Sequence, residues 1–311
     1  MSLFEQFLNA HKEALRLDSR ETAILAQQLE HMQGRTYDIQ YPELKARRFI
    51  PVSTETPSGA EFITYAQWDQ YGAAKLIANF ADDAPRVDVT AKKFSSPVKS
   101  LAAAYGYSLQ DLRAAAMSGQ PLDAKRAAAA RRAIEQAIDD VAATGVSSAG
   151  LPGFLNNSNC AVLTAGHDWA AASALEILDD LATLVQKPID DTKEIYVPDT
   201  IIMDTTSYGI VSQKFMANNN NMTVLQAFLQ VNPWIKTVDR WHKLNLADAA
   251  GTGPRIVAYK KDPEVCELHI SQDFEQLPPE ARNFEYLVNC HARIGGVLMH
   301  YPLACAYMDG T

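Results

Sequence analysis

The side chains with reactive potential in this chain are four cysteines and seven histidines, together with its paired carboxylates. Cys160, His167 and Asp168 fall in one short stretch, and a thiol near an imidazole and a carboxylate has the composition of a nucleophilic site. Their spacing is that of a loop and no nucleophile motif surrounds Cys160, so no catalysis is expected there. Cys290 and His291 are adjacent, and a strand sends neighbours to opposite faces, which does not suit one metal. His300 and Cys305 have no further ligands close in sequence. Cys160, Cys266, Cys290 and Cys305 contain no Cys-x-x-Cys pair and are expected as small buried hydrophobes. Gly251-Thr-Gly253-Pro254 has the glycines of a phosphate loop but follows a polar stretch rather than a clear strand, so a hairpin loop is expected. Asp179-Asp180 and Asp190-Asp191 read as solvated helix and loop residues. The expectation is no catalytic residue, no cofactor and no metal.

The elements that would position any site are organised around residues 121–157. Residues 121–144 contain no internal Gly or Pro after Pro121 and include Ala127, Ala130 and Ala133, which are strong helix formers. Asp123 can cap the start, and Gly145 stands where a left-handed C-terminal residue belongs. A helix of about 22 residues would be roughly 33 Å long. Ile134, Ile138, Val141 and Ala142 give it one buried stripe; Lys125, Arg126, Arg131, Arg132, Glu135, Asp139 and Asp140 are expected to cover the rest. Its exit carries two apolar pairs, Leu151-Pro152 and Phe154-Leu155, and ends in a Gly-Phe-Leu-Asn turn.

Upstream, residues 4–32 read as an amphipathic helical segment with Phe4, Phe7 and Leu8 on an apolar face, followed by extended chain. Residues 62–77 and 86–98 have the Thr, Tyr, Trp and Val content of strands, joined by a turn at 79–85. A lone two-stranded hairpin has too little to bury in water, so Trp68, Tyr71 and Phe80, with Asp82 and Asp83 at the tip, point to contact with another subunit. Capping boxes begin helices at Ser108 and at Ser173; the second has Leu175, Leu178, Leu181, Leu184 and Val185 as its apolar face and is expected to stop at Lys187-Pro188. A strand at 160–164, a buried strand at 200–203, a helix at 208–215 and a polar loop at 218–221 make a small α/β unit. Strand-like stretches follow at 235–238, 255–259 and 265–270.

With 311 residues, ordinary hydrophobic content and no internal repeat, the chain fits two modest domains or one elongated one. No apolar run approaches a membrane span and the first residues lack a basic signal region, so assembly in the cytoplasm and no membrane partner are expected. The net charge of −9 argues against a duplex-binding protein, although it does not exclude a container that encloses nucleic acid without gripping it.

The long helix with its glycine exit and Gly-Phe-Leu-Asn turn resembles the spine-helix region of tailed-phage major capsid proteins, which share the Hong Kong 97 fold with encapsulins. The tail is similar as well: residues 274–284, then 290–304 with Arg293 and Pro302, then Tyr307-Met-Asp-Gly-Thr311. The likeness lies in order and pattern from Arg48 to Thr311. It implies an α+β fold with an N-terminal arm (1–50), an extended-loop hairpin and its flanks (51–100), a spine helix with part of a peripheral domain (101–160), an axial domain (161–262) and closing peripheral strands (263–311). It further implies a major capsid protein that self-assembles through hexamers and pentamers into an icosahedral shell around double-stranded DNA, with scaffold, portal or decoration proteins as further partners. Phe4, Phe7, Leu8, Trp68, Tyr71, Phe80, Asp82 and Asp83 would then make inter-subunit contacts. An encapsulin-like compartment holding a cargo enzyme is the alternative on the same fold, and an enzyme with an unrecognised site the alternative of another class. Some relatives crosslink through a lysine of this hairpin; the tip at 79–85 has none, the nearest being Lys75, Lys92 and Lys93, so crosslinking is not expected. With about 50 residues ahead of the hairpin, no long scaffolding segment is expected either.

Overall fold

A computed structural model describes residues 40–75, 86–118, 122–216, 222–248, 251 and 253–311. The expected N-terminal helix with Phe4, Phe7 and Leu8, the hairpin tip with Phe80, Asp82 and Asp83, and the polar loop at 218–221 lie outside these residues. The chain divides into two units, Met1–Glu43 and Leu44–Thr311, and the elements below belong to the second.

The long helix, α3 (Leu122–Thr144), follows β4 (Lys99–Ser108) and α2 (Leu109–Ser118). Ser108 Oγ accepts the Asp111 amide at 3.0 Å, the expected cap of α2. Arg126 of α3 reaches back to Gly106 O (2.6 Å) and Asp111 (3.1 Å), and this guanidinium holds the Asp111 carboxyl below its usual range. The expected stripe of α3 is buried: Ile134, Ile138, Val141 and Ala142 are each at most 5% exposed. Asp139 is a correction, being buried rather than solvated. It accepts the Ala46 amide at 2.9 Å at the start of the short α1 (Ala46–Phe49), and burial raises its pKa.

The exit of α3 is a cap built from the chain itself. Phe154 N donates to Ala142 O (2.9 Å), Leu155 N to Ala143 O (2.8 Å) and Asn156 Nδ2 to Thr144 O (2.6 Å). Three otherwise orphaned carbonyls are thereby satisfied. The return is tight enough that a Cβ on Gly153 would lie 2.3 Å from the Thr144 carbonyl carbon, and Gly145 turns with φ +67°. Phe154 and Leu155 end fully buried.

Two larger sheets flank this core. In the first, β11 (Glu285–Met299) pairs antiparallel with β4 along one edge and with β9 (Cys266–Gln276) and β10 (Glu280–Arg282) along the other; β1 (Val52–Ser53) adds to β9 in parallel. The second has the order β5 (Ala161–Thr164), β12 (Cys305–Asp309), β8 (Arg255–Tyr259), β6 (Thr200–Met203), β7 (Thr237–Arg240). The last strand therefore joins this second sheet rather than β9 and β11. Strand alternation explains its central position. Ile202, Val257, Tyr259, Cys305 and Tyr307 face the core that holds α3, whereas Ile201, Met203, Ile256, Ala258, Ala306 and Met308 face the helices of the other side. Both faces of β6, β8 and β12 are covered, so these three strands read as largely apolar runs, whereas the edge strands β5 and β7 are partly exposed.

Those helices are α4 (Ala174–Asp191), α5 (Thr205–Gln213) and α6 (Val224–Val231). The Ser173–Glu176 capping box opens α4, as expected. Ser173→Ala is expected to cost about 1 kcal/mol in urea unfolding, with the m-value unchanged. Helix α4 runs through Pro188 instead of stopping there: the proline lies in its last turn, Thr192 Oγ1 donates back to Pro188 O (2.6 Å), and Lys187 pairs with Asp191 (2.7 Å). Its buried stripe is Ile177, Leu181, Leu184, Val185 and Pro188. Leu175 is 64% exposed, since two residues before Ile177 is the opposite side of a helix. Asp180 is buried, contrary to the solvated reading, and accepts from Gly166 N (3.1 Å) and the indole of fully buried Trp169 (3.0 Å). Helix α5 starts at Asp204, which caps Thr206 and Ser207, earlier than the sequence implied.

Candidate functional site

The hairpin β2 (Phe62–Tyr71) and β3 (Asp88–Pro97) pairs in register from Phe62 with Pro97 to Tyr71 with Asp88. Ten residues of antiparallel strand extend about 34 Å. The two strands form a sheet of their own. Along it Trp68 is 70% exposed and Tyr71 54%, with Val87, Val89 and Phe94 also exposed. The two sequence-expected contact residues within the described chain are therefore presented outward, on one ribbon.

Among the described residues, the ribbon is held from its root as far as Gln67. Val98 N donates to Glu61 O (2.8 Å), Ser96 Oγ to Gly295 O (3.2 Å), Gln67 Nε2 to His300 O (2.9 Å), and Arg293 to Ala60 O (2.9 Å) and to Ser58 O. Tyr65 stacks on Phe94 (centroids 5.3 Å) and meets the His300 ring edge-on at 4.5 Å; burial raises its phenol pKa. Ile63 occupies the space a side chain at Gly295 would need, its Cδ1 2.4 Å from such a Cβ. Beside the ribbon lies a groove of about 600 Å³ lined by Ala66, Trp68, Asp69, Thr90, Lys92 and Tyr301.

The other chemical candidates resolve into separate environments. Cys160 is buried with its sulfur 3.3 Å from that of Met299, whereas His167 faces Glu176 (3.9 Å) and Asp180 (3.5 Å), and Asp168 accepts from Ala170 N. The three form no relay. All four cysteines are buried and free; burial pushes Cys266 up to about 12 and Cys305 well above its ordinary value, which opposes thiolate chemistry at those two, whereas a hydrogen bond with Cys305 lowers Cys160. Cys290 is buried while its neighbour His291 is half-buried, as a strand requires. The 251–254 loop leads into β8, with Gly253 O accepting from Ala247 N and Asp248 N.

His300 does have neighbours that its sequence context hid. Pairing of β9 with β11 brings Glu267 and His269 to it, with one ligating atom of each residue within 4.8 Å of the others. Burial lowers the pKa of both His269 and His300. The readable signal was Glu267-Leu-His269, two ligand types on one strand face.

Comparison with known proteins follows the same outline. No curated protein matches the chain. Among solved structures, the capsid of Myoviridae phage XM1 is similar with a TM-score of 0.82 and 20% identity, over 92% of this chain and 98% of that one. A chain of Mycobacterium phage Adephagia gives 0.66 at 11% identity, over 93% and 96%. The virus-like particle from Pyrococcus furiosus gives 0.55 at 12%, over 84% and 90%. The fold is thus the Hong Kong 97-type capsid fold expected from the sequence. The family model for major capsid protein matches residues 72–311, which take in the second hairpin strand, the long helix and every strand of the two large sheets except β1. The chain belongs to the major capsid protein family.

Proposed function

We propose that this chain is the coat subunit of a tailed phage or prophage, closing through hexamers and pentamers into an icosahedral shell around double-stranded DNA. The observation that carries the reading is the hairpin: about 34 Å of ribbon, anchored at one end, with Trp68 and Tyr71 exposed. Large rings on a ribbon without a covering layer gain burial only from another surface. In this reading β2–β3 is the extended loop, α3 the spine, the long antiparallel sheet the peripheral domain, and the mixed sheet with α4–α6 the axial domain. Residues 1–50 supply the arm, and Phe4, Phe7, Leu8, Phe80, Asp82 and Asp83 join the contacts. The net charge of −9 suits a wall beside packed DNA, since like charge prevents adhesion and confinement needs no sequence readout. Assembly takes place in the host cytoplasm, with scaffold, portal and decoration proteins as further partners.

Electron microscopy of the expressed chain, with nucleic-acid absorbance and mass spectrometry of the contents, tests this. Closed particles tens of nanometres across, without a bound enzyme, are the expected result. Small uniform shells carrying one co-purifying enzyme would indicate a cargo compartment, and a monomer at all salt and protein concentrations would overturn both. Deleting residues 2–32 is expected to leave a folded subunit that assembles poorly; normal particle yield from that variant would remove the arm from the account.

A further inference from the structure

Three side chains from two neighbouring strand ends meet beneath the hairpin. Glu267 and His269 are two apart on β9 and leave its surface together, and His300 follows the end of β11, where Met299 pairs with Cys266. Glu267 Oε2 and His269 Nε2 stand 3.3 Å apart, and the His300 donor lies within 4.8 Å of both. A tetrahedral zinc ion with bonds of about 2.0–2.1 Å sets its ligand atoms about 3.3 Å apart, so one edge of that polyhedron is already in place. The His300 donor, within 4.8 Å of both, stands at the remaining corner of that ligand face.

A second observation is independent of this spacing. His269 is only 7% exposed, and neither of its ring nitrogens has a hydrogen-bond partner. An unpartnered buried polar group costs about 1–3 kcal/mol, and folded proteins rarely leave one in that state. Two imidazoles and one carboxylate form a borderline donor set that suits zinc; magnesium and calcium take oxygen ligands.

We propose that Glu267, His269 and His300 form a site for one divalent transition cation of the zinc class, its fourth position taken by water. The site lies in the seat of the hairpin. The same His300 bears Tyr65 against its ring and receives Gln67 at its carbonyl, so a cation here fixes the surface on which β2 rests. Binding is a property of the single subunit and stands apart from whether shells form.

The experiment uses the full chain, stripped with EDTA and titrated with cobalt(II) as the spectroscopic probe, with metal content read by equilibrium dialysis and elemental analysis. One equivalent per chain with the d–d absorption of a tetrahedral ion, displaced by zinc, is the expected result. Glu267→Gln and His300→Gln alter half-buried side chains, and circular dichroism checks that each variant is folded. Either should weaken cobalt binding by more than the roughly 10- to 100-fold effect typical of losing an outer-shell partner. Failure of the wild-type chain to bind one equivalent overturns the proposal, as does full-strength binding by both folded variants. If neither variant folds, the stoichiometry and spectrum of the wild-type chain decide.

Discussion

Replacing Trp68 and Tyr71 together by alanine is expected to leave the subunit folded and to prevent particle formation. Both rings are more than half exposed in the single chain, so their loss should change subunit stability by no more than about 0.5 kcal/mol. Burial against a neighbour returns about 1.5–3 kcal/mol per large apolar side chain. For two rings that is about 3–6 kcal/mol at each contact, or about a hundred- to ten-thousand-fold in association. A shell repeats the contact at every subunit, so the deficit recurs throughout the particle. Size-exclusion chromatography and electron microscopy give the readout, with thermal unfolding of the unassembled subunit as the control. Normal particles from the double variant would show that the exposed rings do not carry the contact. A collapse of subunit stability would show that they pack within the chain.

The second large effect is expected at Asp309. Arg255 is 3% exposed and is held by Asp309 through both carboxylate oxygens at 2.6 Å, by the Leu155 carbonyl at 2.5 Å, and by the Tyr307 ring below it at 4.7 Å. The pair fastens β12 to β8 and both to the cap of α3. Asp309→Ala strands a buried cation, and breaking such a pair from one side costs about 3–5 kcal/mol. Against a total stability of about 5–15 kcal/mol, that should lower the melting temperature of the subunit by roughly 10 °C. Arg255→Met combined with Asp309→Leu should recover most of the loss, because it removes both desolvation costs. Calorimetry on unassembled subunits checks this. A double variant as unstable as Asp309→Ala would mean that the hydrogen bond to Leu155, rather than the charge, is the necessary element.

Local signals were legible where chemistry and position coincide. The helix at 122–144 carries its own stripe and glycine exit, although it begins at Leu122 and so includes Asp123 rather than being capped by it, and the caps at Ser108 and Ser173 act on the amides their spacing implies. The hairpin strands were legible from composition, though β2 ends at Tyr71 rather than at 77. Helix α6 was missed although Thr223 and Gln226 form a capping box, because an eight-residue helix offers barely two turns of pattern. The burial of Asp139 and Asp180, and the meeting of His300 with Glu267-Leu-His269, were not legible for one shared reason. Their partners Ala46, Trp169 and His300 are brought to them by tertiary packing, and Ala46 and His300 lie far away in sequence. The second sheet is apolar on both faces, so the sequence could not announce which strands lie next to which.

A ribbon fixed at one end is a lever. With about 34 Å of ribbon out to Tyr71, a rotation of roughly 10° about the Ala60–Arg293 contact, releasing Gln67 from His300, carries Tyr71 through about 6 Å. Adjusting a few hydrogen bonds at the base therefore moves the far end by more than the spacing between two strands, while the ribbon itself stays intact. In the proposed shell, one sequence can in this way reach neighbours that stand at different distances around five- and six-fold axes. In that proposed shell, the stiffness of this small pivot bears on how much curvature a single subunit tolerates.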